Sequence, residues 1–130
     1  MKVFSEQWAQ AFAKEINVND AHRQAASGWT WPLVLQMISS NSEKSVFLDL
    51  HNGECKTAKV ADQSDFNAAE FIISASKDSW QKILKKELDP MLAVMTKQLE
   101  LKKGNVGTLL KYVDAAKELI KSAAEIPTEF

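Results

Sequence analysis

Four side chains with the means to do acid–base or nucleophilic chemistry lie close together in the chain: Asp49, His51, Glu54 and Cys55. A thiol attacks as its thiolate, so Cys55 would need a neighbouring base or cation to release its proton. The residues between them argue against that use. Asn52-Gly53 separates two strand-like runs and calls for a two-residue hairpin turn, which sets Leu50 across from Cys55 on the inward face. A cysteine in that position behaves as a small apolar group. His51 then faces Glu54 beside the turn and reads as a surface imidazole; His22 is the only other histidine. No His, Cys, Asp or Glu set shows metal-ligand spacing, and there is no Gly-x-Ser-x-Gly elbow. With only four glycines, no loop is built to cradle phosphate. The expectation is a non-enzyme: no catalytic residue, no metal ligand and no cofactor.

Charge and composition narrow the classes further. Lys and Arg number 16 and Asp and Glu 17, for a net charge of -1. Neither half carries the positive excess that binding to a phosphate backbone demands, so nucleic acid is not an expected partner. A single cysteine precludes an internal disulfide and fits a reducing compartment. The first residues lack an apolar signal core, and no apolar run reaches the roughly 18 residues of a membrane span. The last residues, Thr128-Glu129-Phe130, are not a peroxisomal address. These features lead us to expect a cytoplasmic protein. At 130 residues, a single domain burying roughly two-thirds of its unfolded surface has room for a core and one cavity.

The elements that would position these groups follow from periodicity. Ser5 can cap a helix over 5–17, with Trp8, Ala11, Phe12 and Ile16 on one face. Asn19 or Asp20 caps a second, Ala21 to Ser27, closed by Gly28. Leu33 to Ile38, bounded by Pro32 and a polar run, reads as a strand. Taken literally, the Asn52-Gly53 turn pairs Leu50 with Cys55, Leu48 with Thr57 and Val46 with Lys59, and on the wet face Asp49 with Lys56 and Phe47 with Ala58. Residues 61–67 read as a loop. Ala69 to Ala75 is a strand pointing Phe71, Ile73 and Ala75 one way. Ser76 or Asp78 caps a helix bearing Trp80, Ile83 and Leu84, and Asp89-Pro90 opens another with Met91, Leu92 and Met95. Gln98 to Lys102 alternates as a strand, with Leu99 and Leu101 inward. Thr108 to Ala124 reads as one long amphipathic helix. Strands gathered between helices predict an α+β fold with a five-stranded, mainly antiparallel sheet.

From residue 46 onward the ordered segments resemble the sterol-carrier-protein family of non-specific lipid-transfer proteins. The resemblance rests on the Asn52-Gly53 hairpin, Ala69-Glu70-Phe71-Ile72-Ile73, Asp78-Ser79-Trp80, Leu88-Asp89-Pro90-Met91-Leu92-Ala93-Val94-Met95, and the run Thr96 to Gly104 around Leu99-Glu100-Leu101. The stretch Asn19 to Trp29 is similar to an extension found in bacterial and archaeal members. Two departures stand out: Glu87-Leu88 where the family often has Gly before Asp-Pro, and Met95-Thr96-Lys97 where it often has Gly or Ser-Gly-Lys.

The resemblance implies one lipid-binding domain over 1–130, with a helical N-terminal extension over 1–31 and a sheet-and-helix core over 32–124. It implies helices on one face of the sheet enclosing an apolar tunnel, and non-catalytic intracellular transfer of a fatty acid, fatty acyl-CoA or sterol-like molecule. The ligand-binding wall is then expected from Phe71 and Ile73 on the sheet, Trp80 and Leu84 on the next helix, and Met91 and Met95 on the one after. Leu109, Leu110 and Val113 close the far side, with the last helix as the gate. Lys85, Lys86, Lys102 and Lys103 read as a solvated face, with an acidic headgroup or CoA phosphate as the alternative use. Transient membrane contact goes with lipid transfer. A second reading makes the domain an interaction or homodimerisation module of a lipid-metabolising complex, using Trp8, Trp29 and Trp31 as aromatic surface.

Overall fold

Local capping starts most of the helices where the sequence places them. The computed structural model describes residues 1–130 and holds α1 (Glu6–Asn17), α2 (Asp20–Ala25), β1 (Leu33–Ser39), β2 (Ser42–His51), β3 (Glu54–Val60), α3 (Gln63–Ala68), β4 (Phe71–Ser76), α4 (Lys77–Leu84), α5 (Pro90–Met95), β5 (Leu99–Lys103), α6 (Val106–Lys111) and α7 (Val113–Ala124). The side chains of Ser5, Asn19, Ser76, Asp89 and Asn105 each accept a backbone N–H in the first turn of α1, α2, α4, α5 and α6. No helix is long and apolar enough to cross a membrane.

The sheet order is β3-β2-β1-β4-β5. Every neighbouring pair is antiparallel except β1 and β4, which run parallel, so the sheet is mixed. The connection carrying α3 takes the chain from the edge strand β3 past β2 and β1, and this crossover sets β4 parallel to β1. Leu33, Leu35 and Met37 of β1 share one buried core with Val46, Leu48 and Leu50 of β2, and with Trp8, Phe12 and Ile16 of α1. α7 packs against α1, α2 and α4, and the core takes Ala115, Leu119 and Ala123 from it.

Three elements differ from the sequence expectation. Asn52 and Gly53 both have positive φ, 51° and 86°, as the two-residue turn requires. The pairs His51–Glu54 and Leu50–Cys55 stand as expected, but a bulge follows, so Asp49 pairs with Thr57, Leu48 with Ala58, Phe47 with Lys59 and Val46 with Val60. Skipping Lys56 lets Cys55 and Ala58 both reach the core, where an uninterrupted alternation would have buried Thr57. The span expected as a loop contains α3: Asp62 and Asp65 exchange a reciprocal capping box, Asp62 accepting the Asp65 N–H and Asp65 accepting the Asp62 N–H. Donation from the Ser64 hydroxyl holds the Asp62 carboxyl below its ordinary range. The long last helix is broken at Tyr112, whose φ of -111° and ψ of 30° leave the helical basin. There its ring turns onto Trp29 and Trp31, at centroid distances of 5.3 and 6.0 Å.

The edge of the sheet at β3 is closed by α1. The Asn17 amide accepts from the Cys55 N–H at 2.8 Å and donates to the Cys55 carbonyl at 3.0 Å, and Glu6 accepts from the Val60 N–H. The opposite edge, β5, is five residues long, ends in Lys102-Lys103 and carries a bulge.

The hairpin turn is also a packing site. A Cβ on Gly53 would lie 2.5 Å from the Arg23 Cα and 2.7 Å from its carbonyl oxygen, on a backbone already at positive φ. Gly53→Ala is therefore expected to destabilise the fold by about 1–3 kcal/mol, lowering the urea midpoint. An unchanged midpoint would show that the turn does not dock on α2.

Candidate functional site

Between the sheet and α5–α7 the side chains do not meet. The larger space, an outer chamber of about 80 Å³, has a wall of 17 residues, 14 of them hydrophobic. β1, β4 and β5 supply Leu35, Ile73, Leu99 and Leu101; α5 supplies Pro90, Met91 and Val94; α7 supplies Val113, Leu119 and Ile120. An inner chamber of about 30 Å³ lies between α2, the sheet and α7, walled by Ala26, Trp29, Leu33, Leu50, Tyr112 and Ala115 among others. Ile73, Leu109, Ala116 and Leu119 line both chambers, so only this thin partition divides them.

Six of the nine expected wall residues come together here: Ile73, Trp80, Met91, Leu109, Leu110 and Val113 all line the outer chamber. Three do not. Phe71 stacks against Trp29 at 4.8 Å and Trp31 at 6.1 Å and joins the aromatic cluster at the end of the inner chamber. Leu84 is buried in the general core. Met95, the last residue of α5, is 77% exposed and does not line the chamber. The wall residues missed by that set, Leu35, Val94, Leu99, Leu101, Ala116, Leu119 and Ile120, carry a signal that was partly there: Leu99, Leu101 and the α7 stripe all read as inward-facing.

α6 is the least anchored part of the wall, with no fully buried residue. Val106 and Leu110 are half exposed while lining the outer chamber, and Leu92 and Met95 stand exposed on α5. Val106 and Leu110 give the chamber a half-exposed apolar rim. Lys117 and Glu100 are the charged groups of the wall. Lys86 pairs with Glu125 at 3.7 Å and Lys103 donates to the Phe66 and Asn67 carbonyls, away from the chambers, while Lys102 pairs at 2.9 Å with Glu100 of the outer wall.

The hairpin groups form no nucleophilic pair. Cys55 is buried, donates to the Thr57 carbonyl at 3.4 Å, and burial, with the Asp49 charge, pushes its thiol up to about 12. His51 is exposed, with Nε2 3.3 Å from the Asn52 amide. The tryptophans are not free surface either. Trp8 is fully buried and donates to Thr128, Trp29 is buried and donates to the Trp31 carbonyl, and Trp31 is half-buried. The premise of an aromatic docking surface therefore fails: indole rings of this size fill the core.

A mixed five-stranded sheet under helices, hollow at one end and walled by hydrocarbon, defines an α+β domain with an internal apolar cavity. The chain belongs to the SCP-2 sterol transfer family, whose model matches residues 11–117. A crystal structure of sterol carrier protein 2 is 37% identical, with a TM-score of 0.87 over 96% of this chain and 99% of that one. A conserved hypothetical protein from Thermus thermophilus, described as possibly a sterol carrier protein, is also 37% identical, with a TM-score of 0.85 over 99% of this chain and 92% of that one. Sterol carrier protein 2 from Aedes aegypti, solved in complex with the C16 fatty acid palmitate, shares the fold at 19% identity and a TM-score of 0.58, covering 94% of this chain and 98% of its own. Among curated proteins, comparison by sequence yields no match.

Two solution measurements check the site's electrostatics. With its thiol near 12, Cys55 is expected to resist alkylation by iodoacetamide at pH 8 in the folded protein and to react readily in denaturant; equal rates would show an activated or exposed thiol. Burial holds the His22 imidazole below its ordinary 6.5. The unfolded chain then takes up a proton near pH 6.5 that the folded chain refuses, so this group's contribution is intact above that pH and is lost as pH falls below it. The urea midpoint should drop more steeply from pH 7 to pH 5 in the parent than in His22→Gln; parallel profiles would contradict a neutral buried His22.

Proposed function

We propose that the protein binds a lipid with one long apolar part in the two chambers and carries it between lipid-bearing surfaces without chemically changing it. The observation that carries this reading is a continuous apolar wall around unfilled space, partitioned only by Ile73, Leu109, Ala116 and Leu119. Each methylene moved from water into such a wall gains about 0.8 kcal/mol, so a chain of about 16 gains roughly 13 kcal/mol gross. Immobilising the ligand and ordering the wall remove a large part of this. About 8 kcal/mol suffices for micromolar affinity, and a weaker hold favours release. Membership of the SCP-2 sterol transfer family supports the same reading.

The half-exposed rim of Val106 and Leu110 is the way in. It gives the opening an apolar lip that can touch a membrane while the ligand crosses. α6 is the moving part of this gate, since it buries no side chain fully and joins α7 through the non-helical Tyr112. Fatty acids, their CoA thioesters and sterol-like molecules are the ligand classes proposed, and taking one in requires the wall to open further.

The test is to fill the space without harming the fold. Ala116 lines both chambers, and Ala116→Phe places a ring where the ligand would lie. Titration of delipidated protein with a fluorescent C16 fatty acid should show affinity lowered at least tenfold, while the urea midpoint stays level or rises because a void is filled. Equal affinity in a folded Ala116→Phe protein would place the ligand elsewhere and end this assignment.

A further inference from the structure

The inner chamber has one polar wall residue whose hydrogen bonding is incomplete. His22, on α2, is 2% exposed and lines this chamber among residues that are otherwise aliphatic or aromatic. Its Nδ1 lies 3.2 Å from the Gly53 carbonyl oxygen at the hairpin turn. A carbonyl only accepts, so the contact requires the proton on Nδ1 and leaves Nε2 as a lone pair. None of the side-chain hydrogen bonds in the molecule engages Nε2, yet no fully enclosed side-chain nitrogen or oxygen lacks a partner. Nε2 is therefore not fully enclosed, and His22 is a lining residue of the inner chamber.

We propose that His22 Nε2 accepts a hydrogen bond from the hydroxyl of a lipid alcohol whose hydrocarbon fills the chambers, so that the ligand enters head first. This rests on the lipid-binding reading above and adds the headgroup and its direction. A carboxylate has no proton to offer a lone pair, and no lysine or arginine lines the inner chamber to neutralise one. A thioester likewise lacks a donor. Burial, outweighing the opposing effects of the Gly53 hydrogen bond and of Glu118 on α7, favours the neutral form that accepts. The tautomer is held by a backbone group of a tight turn, which does not rotate away. Asn19 fixes the helix beneath: its side chain accepts the His22 N–H and donates to Ser122 of α7.

The probes are 1-dodecanol and dodecane, each competing with a fluorescent fatty acid on delipidated protein. His22→Leu should weaken the alcohol about tenfold relative to the alkane, the loss expected when a buried hydroxyl loses its partner. In the parent protein, the ¹⁵N resonance of His22 Nε2 should shift on adding the alcohol and stay in place with the alkane. An unchanged alcohol-to-alkane ratio in His22→Leu, or an Nε2 resonance indifferent to the alcohol, overturns the assignment while leaving lipid binding intact. If His22→Leu does not fold, the resonance in the parent decides alone. If neither probe displaces the fluorescent lipid, the carrier reading falls and this assignment with it.

Discussion

Four aromatic rings hold one end of the cavity apart. Trp29 packs on Phe71 at 4.8 Å, on Trp31 at 5.0 Å and on Tyr112 at 5.3 Å, joining α6–α7 to β4 and to the segment before β1. Protein interiors otherwise close to the density of organic crystals. Rigid rings at this junction fix how near α7 can come to the sheet, and the shorter side chains of Ala115, Ala116 and Leu119 then fail to fill what lies between. Gly28 is part of the same arrangement: a Cβ there would lie 2.8 Å from the Tyr112 hydroxyl, so a side chain would push the ring out of its seat.

The break at Tyr112 links this prop to opening. Because the residue leaves the helical basin to reach Trp29, α6 is a separate short helix rather than the first turns of α7. α7 is anchored in the core by Ala115, Leu119 and Ala123, whereas α6 contributes no fully buried residue. Segments with few buried contacts open at low free-energy cost, so the wall can part locally while the core stays closed.

What was legible in the sequence was local chemistry. Asn52-Gly53 announced its turn because both positions need positive φ, and Asp89-Pro90 announced a helix start because proline suits the first turn. The bulge at Lys56 was not legible, since it is decided by whether Cys55 and Ala58 find the core, a question of tertiary packing. α3 fell in a span read as a loop: its six residues carry no apolar stripe, and the capping box between Asp62 and Asp65 shows itself only in the structure. The Tyr112 break depends on rings far away in the chain, on Trp29 and Trp31. His22 shows the same limit: its helix could be read from Asn19, but not that its imidazole meets a turn 31 residues further on.

The two borders of the sheet bear on how such a protein survives in solution while displaying greasy residues around an opening. Unpaired strand edges are templates for fibril growth. On one border, Asn17 mimics a neighbouring strand by satisfying both main-chain groups of Cys55, and Glu6 takes up Val60. On the other, a short strand ends in lysines and is kinked by its bulge. Stacking of one molecule's sheet on the next is thus obstructed at both ends.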